Sequence, residues 1–157
     1  MQILKLAFIS ILLLFLVATG VSLMIPAHIR ISRAINIHST KEQVLGLITN
    51  SEKWKLWHPA FMPANASKNI ASIELTRLNE NDSSVLYKLK QGNKVPVLNG
   101  WQVYNLSPDS LTLQGYMDFR LKWYPWQKFS SLFYENTYGI LLQQGLSNIK
   151  DILENQP

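Results

Sequence analysis

The sequence predicts an α+β fold: one curved antiparallel β-sheet with a long C-terminal α-helix packed across it, preceded by one transmembrane helix. Three observations lead there. Residues 6–25 run without a formal charge. Between His28 and Trp123, apolar and polar residues alternate in segments separated by turn residues, the period of half-buried strands. From Phe129 onward the apolar residues recur at helical intervals.

The N-terminal run comes first. Leu6 to Ile25 is twenty residues, closed by Pro26; a helix of that length spans roughly 30 Å, the thickness of a bilayer's hydrocarbon core. A cleaved signal peptide is the competing reading, supported by Lys5 and by Ala18-Thr19-Gly20 as a small-residue cleavage site. Its apolar segment would run to about 7–15 residues, shorter than the one present. The expected division is therefore an anchor over residues 1–26 and one soluble domain over 27–157, a length suited to a single core. Lys5 on one flank, against Arg30, Arg33 and Lys41 on the other, leaves the side of the membrane open. The chain holds no cysteine, so neither a disulfide nor a lipidated thiol informs the choice of compartment.

In the domain, Ile29, Ile31, Ile35 and Ile37 alternate in a first strand that Arg33 interrupts. Ser39-Thr40-Lys41-Glu42 reads as a capping box with Ser39 as cap, followed by Val44, Leu45, Leu47 and Ile48 at helical spacing. Trp54 to Phe61 is a short aromatic piece that Pro59 and Pro63 keep from becoming a long helix. Four strands are then expected: about Ile70 to Thr76, Val85 to Lys90, Val95 to Leu106, and Leu111 to Trp123. Turns are expected at Asn79–Asp82, Gln91–Asn93 and Ser107–Asp109, and Pro96 places the start of the third of these strands at an edge or outside the ladder. Phe129, Phe133, Leu142, Leu146, Ile149 and Leu153 mark the closing helix, in which Gly139 and Gly145 allow close packing or a bend.

Three segments resemble a known family. Ile35-Asn36-Ile37-His38-Ser39-Thr40-Lys41-Glu42-Gln43-Val44 is similar to the I-x-I-x-A-P-x-E-x-V opening of the START-like superfamily, also called SRPBCC or polyketide cyclase/dehydrase-like. Trp54 to Pro59 resembles its W-x-x-W-x-P, and Gly145 to Lys150 its G-L-x-N-L-K. The resemblance covers about Ile29 to Leu153. It departs in the middle, where four strands follow the first helix and the family usually has more. It implies a helix-grip fold, often with a pocket for apolar molecules, and a bacterial branch of the family carries an N-terminal anchor. That branch points to a single-pass protein of a bacterial inner membrane. No single reaction follows, since one fold hosts lipid carriers and cyclases alike.

Residues that carry chemistry are few. His28, His38 and His58 lack the spacing of metal ligands, and neither a phosphate-binding loop nor a nucleophile elbow is present. No catalytic residue, metal or cofactor is expected. The charge of +5 is spread along the chain without a basic helix, which argues against nucleic acid and suits a solvated surface or anionic headgroups. The pocket candidates are Trp54, Trp57, Phe61, Trp101, Phe119, Trp123, Trp126, Phe129 and Phe133, which either line a cavity between sheet and helix or fill it. Arg33 and His58 are the candidate polar contacts, with His58 expected at the rim. Asp118 and Arg120 are expected to pair in solvent on the last strand. Trp54 and Trp57, beside Lys53 and Lys55, offer a further reading as a bilayer-docking site. The leading expectation is a membrane-anchored, non-enzymatic module that binds a hydrophobic or lipid-like small molecule. Its alternatives are a cyclase or dehydratase using His58 or Arg33, and an interaction domain with a collapsed pocket.

Overall fold

The computed structural model describes residues 2–62, 73–107 and 109–155. Helix α1 (Gln2–Leu23) is followed by strand β1 (His28–Ile37), helix α2 (Lys41–Ile48), and a 3-10 turn at Ser51–Lys53 that runs into α3 (Trp54–Trp57). Strands β2 (Ile73–Asn81), β3 (Ser84–Gln91), β4 (Val97–Ser107) and β5 (Ser110–Arg120) come next. The chain ends with α4 (Pro125–Ser131), a π-turn at Glu135–Gly139 and α5 (Ile140–Glu154). The strands form one open sheet in the order β1-β5-β4-β3-β2, every pair antiparallel. The expected architecture of a first strand, a four-strand meander and a covering C-terminal helix is the one found.

Alternation decides which face is covered. Ile31 and Ile37 of β1, Leu111, Leu113, Met117 and Phe119 of β5, and Trp101 and Val103 of β4 are all buried. Helix α5 meets them with Leu142, Gly145, Leu146 and Ile149, a stripe at i, i+3, i+4 and i+7. Trp101 lies across Gly115 on the neighbouring strand, so a methyl group at Gly115 would come within 2.5 Å of the indole.

Several boundaries differ from the expected ones. The N-cap of α2 is Thr40, whose side chain accepts from the Gln43 amide while Gln43 reaches back to the Thr40 amide; the capping box sits one residue later than Ser39 and Glu42 imply. The β2–β3 turn falls at Asp82–Ser83, after Asn79 and Asn81 have joined the ladder. Strand β5 ends at Arg120, not Trp123, because its partner β1 begins at His28 and beyond that only Leu121 still bonds back, to the Ala27 carbonyl at 2.8 Å. Ile70 and Pro108 lie outside the described residues.

The closing helix is divided in two. Arg33 stands on the inner face of β1 where an isoleucine would otherwise continue the row, and it pairs with Glu135 in the π-turn. A β-carbon on Gly139 would meet the guanidinium at 2.9 Å. The π-turn and a residue without a side chain give the arginine its room.

Helix α1 is long and apolar enough to cross a membrane, a test that a signal sequence also passes. Most of its surface is exposed apolar side chain, so it is not a core helix of this domain.

Gly115→Ala is expected to cost about 1–3 kcal/mol through overpacking against Trp101. At Gly145 an added β-carbon meets Pro59 and Trp57 at an ordinary 3.5 Å, so Gly145→Ala is expected to be neutral or to gain up to about 1 kcal/mol from helix propensity. Urea unfolding followed by tryptophan fluorescence checks both.

Candidate ligand cleft

The short aromatic piece after α2 forms because three carbonyls at the end of that helix lack intrahelical donors. Trp54 Nε1 donates to the Ile48 carbonyl at 3.0 Å, Trp57 Nε1 to that of Leu47 at 3.2 Å, and the Tyr87 hydroxyl to that of Thr49 at 2.6 Å. Those bonds turn both indoles inward. Trp54 and Trp57 pack at 5.2 Å between ring centroids, and Trp57 meets Trp101 edge-on at 5.0 Å. Asn148 of α5 donates to the Trp57 carbonyl at 2.8 Å and ties the group to the covering helix. Trp54, Trp57 and Trp101 are thus wholly enclosed core, with Phe61 half-buried at their edge. The docking role for Trp54 and Trp57 is corrected: neither ring reaches solvent.

His58 belongs to the same block and is not at a rim. It stacks on Trp54 at 5.2 Å, meets Trp57 and Phe61, and is only 5% exposed. Its Nδ1 accepts the Ala60 amide at 3.2 Å. Burial among rings disfavours the imidazolium and lowers its pKa to about 4.

The opposite end of the inner face is open. A cleft of about 310 Å³ lies between the β3–β4 turn, the end of β5 and the start of the C-terminal helical segment. Phe119 forms its floor, with Tyr134 and Tyr138 against it at 4.8 and 4.6 Å. Val97 and Leu121 add apolar surface, and Lys94, Arg120 and Lys122 supply three cations. No carboxylate belongs to the described lining. Burial, and then Tyr134, raise the Tyr138 pKa, so that hydroxyl stays a proton donor. Between cleft and aromatic block sits Asn99, two residues from Val97 on the same face of β4. It is fully buried, and neither its amide nitrogen, its amide oxygen nor Trp101 Nε1 has a hydrogen-bond partner among the described residues.

The nine aromatic candidates therefore separate. Trp54, Trp57 and Trp101 fill the far end, Phe61 edges them, and Phe119 floors the cleft. Phe129 is half-buried on α4, whereas Trp123, Trp126 and Phe133 project into solvent. Arg33 is held by Glu135 and the Ser32 carbonyl. Asp118 does not pair with Arg120. It is buried on the outer face beneath Arg30, its register partner, which grips both carboxylate oxygens at 2.7 Å. Sequence reading missed Tyr134 and Tyr138, although their i, i+4 spacing was a usable signal for one helix face. A larger depression of about 430 Å³ beside Thr49, Arg77 and Tyr87 is open and mostly polar.

No protein-family model and no curated protein sequence matches the chain. Solved structures do. An uncharacterized protein from Bacillus thuringiensis is 14% identical with a TM-score of 0.59, over 79% of this chain and 98% of that one. A START superfamily protein from Mycobacterium smegmatis is 15% identical with a TM-score of 0.55, over 80% and 97%. The di-domain ARO/CYC StfQ from the steffimycin biosynthetic pathway is 10% identical with a TM-score of 0.60, over 82% of this chain and 51% of its own. At such identities the likeness concerns the fold, which is the START-like helix-grip.

Burial of neutral His58 gives stability a pH dependence. The unfolded state takes up the proton near 6.5 and the folded state only near 4, so stability is full above pH 6.5 and falls as pH drops toward 4, by on the order of 3 kcal/mol. His58→Gln is expected to flatten that slope relative to the parent, read from urea midpoints across the window.

Proposed function

We propose that residues 1–26 anchor the chain in a membrane, a bacterial inner one on the strength of the resemblance, and that residues 27–157 bind a hydrophobic or lipid-like small molecule without converting it. One observation carries this reading: the cleft has an aromatic floor, three cations at its walls and no carboxylate among its described lining residues. That chemistry fits an amphiphile with an apolar body and an anionic head. The body gains roughly 25 cal/mol for each Å² it removes from water, and the head is held by Lys94, Arg120 and Lys122. A volume of about 310 Å³ is at the small end for ligand sites, which suits a short amphiphile or one end of a longer lipid. The fold it shares with a START superfamily protein supports the same assignment.

Native mass spectrometry of the full-length chain in mild detergent, with extraction of co-purifying small molecules, is expected to show one discrete anionic amphiphile per chain. Lys94→Glu combined with Lys122→Glu is expected to weaken its retention about tenfold, or 1.4 kcal/mol. A chain that carries detergent alone, unchanged after incubation with membrane lipids, overturns the proposal.

A further inference from the structure

Helix α4 has its polarity reversed. Its charged residue, Lys128, is 5% exposed, while Trp126 is 63% exposed. Water favours the opposite arrangement. Trp123, Leu132 and Phe133 on either side of α4 are also more than half exposed, and Tyr124 stacks on Trp126 at 4.9 Å. The result is an aromatic surface with Lys122 lying over the Tyr124 ring at 5.9 Å.

The position of that surface identifies its occupant. Lys128 Nζ donates to the Ile25 carbonyl at 2.6 Å, just past the end of α1. The covered residues of that end are Ala18, Thr19, Ser22 and Ile25, one face of its last turns, and α4 packs there. At 1.5 Å per residue this face spans about 10 Å along the helix axis. If α1 crosses a bilayer, that stretch lies at the boundary between acyl chains and headgroups. Tryptophan, tyrosine and lysine are the side chains that settle at this depth.

We infer that α4, with Trp123, Trp126, Leu132 and Phe133, is an interfacial docking surface that seats the domain on an anionic bilayer, with Lys128 fixing its angle to α1. Gln127 of α4 lines the cleft and accepts the Lys122 amide at 2.8 Å, and Leu121 of the same lining bonds to Ala27. Docking therefore puts the cleft mouth at headgroup level, where an amphiphile enters from the membrane without crossing water. This inference rests on the anchor reading above.

The test uses the full-length chain in vesicles of phosphatidylcholine and phosphatidylglycerol in equal parts, with phosphatidylcholine brominated at shallow or deep acyl positions. Shallow bromines are expected to quench tryptophan fluorescence more than deep ones. Trp123→Phe with Trp126→Phe is expected to lose most of that quenching, since Trp54, Trp57 and Trp101 are enclosed in the core, and to keep the parental urea midpoint because the replaced rings are exposed. Quenching that persists in the double variant overturns the docking surface. So does its absence from a parent chain that resists alkaline extraction, the outcome if this face instead joins copies of the chain. A parent chain released at alkaline pH overturns the anchor and this inference with it, whereas a failed search for a bound amphiphile overturns only the ligand reading.

Discussion

Trp101 lying flat across Gly115 is the contact on which the rest of the arrangement depends. A sheet that presents one apolar face must have it covered, and α5 alone spans a limited width. The indole fills the middle of that face, which leaves Trp57 and Trp54 a hard surface to pack on. Those two rings in turn satisfy the end of α2, and the Trp57 carbonyl accepts from Asn148 of α5. Three elements distant in sequence are locked by one aromatic block. The block centres on Trp101, in register with Gly115 and Arg33, and the free volume lies beyond it at the His28 end, where β1 emerges from α1. Packing density, more than any functional side chain, decides where a ligand has room.

That placement links the two ends of the molecule. Only residues 24–27 separate α1 from β1, and two residues within that linker are pinned: Ile25 by Lys128 and Ala27 by Leu121. A buried lysine on a carbonyl is an expensive way to join two helices in water, since the ammonium gives up most of its hydration. At a membrane surface the comparison changes, because the alternative for Lys128 is a position beside the acyl chains. The same reasoning makes the exposed indoles of Trp123 and Trp126 reasonable where an aqueous accounting would count them as a loss.

Much of the fold was legible because one rule generates it. A period of two marks β1, β3, β4 and β5, and a stripe at helical spacing marks α5, whether or not the tertiary partners are known. The failures came where a tertiary partner overrode the local pattern. Alternation continues through Leu121 and Trp123, yet the strand stops when β1 has no more backbone to offer. Asp118 follows the polar phase and is buried anyway, because Arg30 on the next strand covers it. Ser39 and Thr40 are equally good caps, and only backbone geometry selects the second. The site was less readable than the fold. A tryptophan that fills a core and one that lines a cleft have the same composition signal, so Trp54, Trp57, Trp123 and Trp126 could not be sorted until their hydrogen-bond partners and exposure were known. The π-turn ahead of α5 holds the partner of Arg33, a residue far away in sequence.

The titrating groups near the cleft bear on the choice between binding and conversion. A cyclase or dehydratase needs a group that gives or takes a proton near neutral pH at the reacting atoms. His58 has its affinity for protons lowered by burial, and it is walled off in the aromatic block. Arg33 is occupied by Glu135. Tyr138 does face the cleft, but its environment raises its pKa, which makes it a firmer hydrogen-bond donor and a poorer base. Lys94, Arg120 and Lys122 supply charge at the mouth. A set composed of donors and cations stabilises an anionic or carbonyl-bearing ligand as it stands. Behind it, the unpartnered amide of Asn99 offers both a donor and an acceptor to any polar group that penetrates past Phe119, and a hydrogen bond made there would recover about 1–3 kcal/mol otherwise lost to desolvation. This set of donors and cations is the ground on which retention, and not conversion, is proposed.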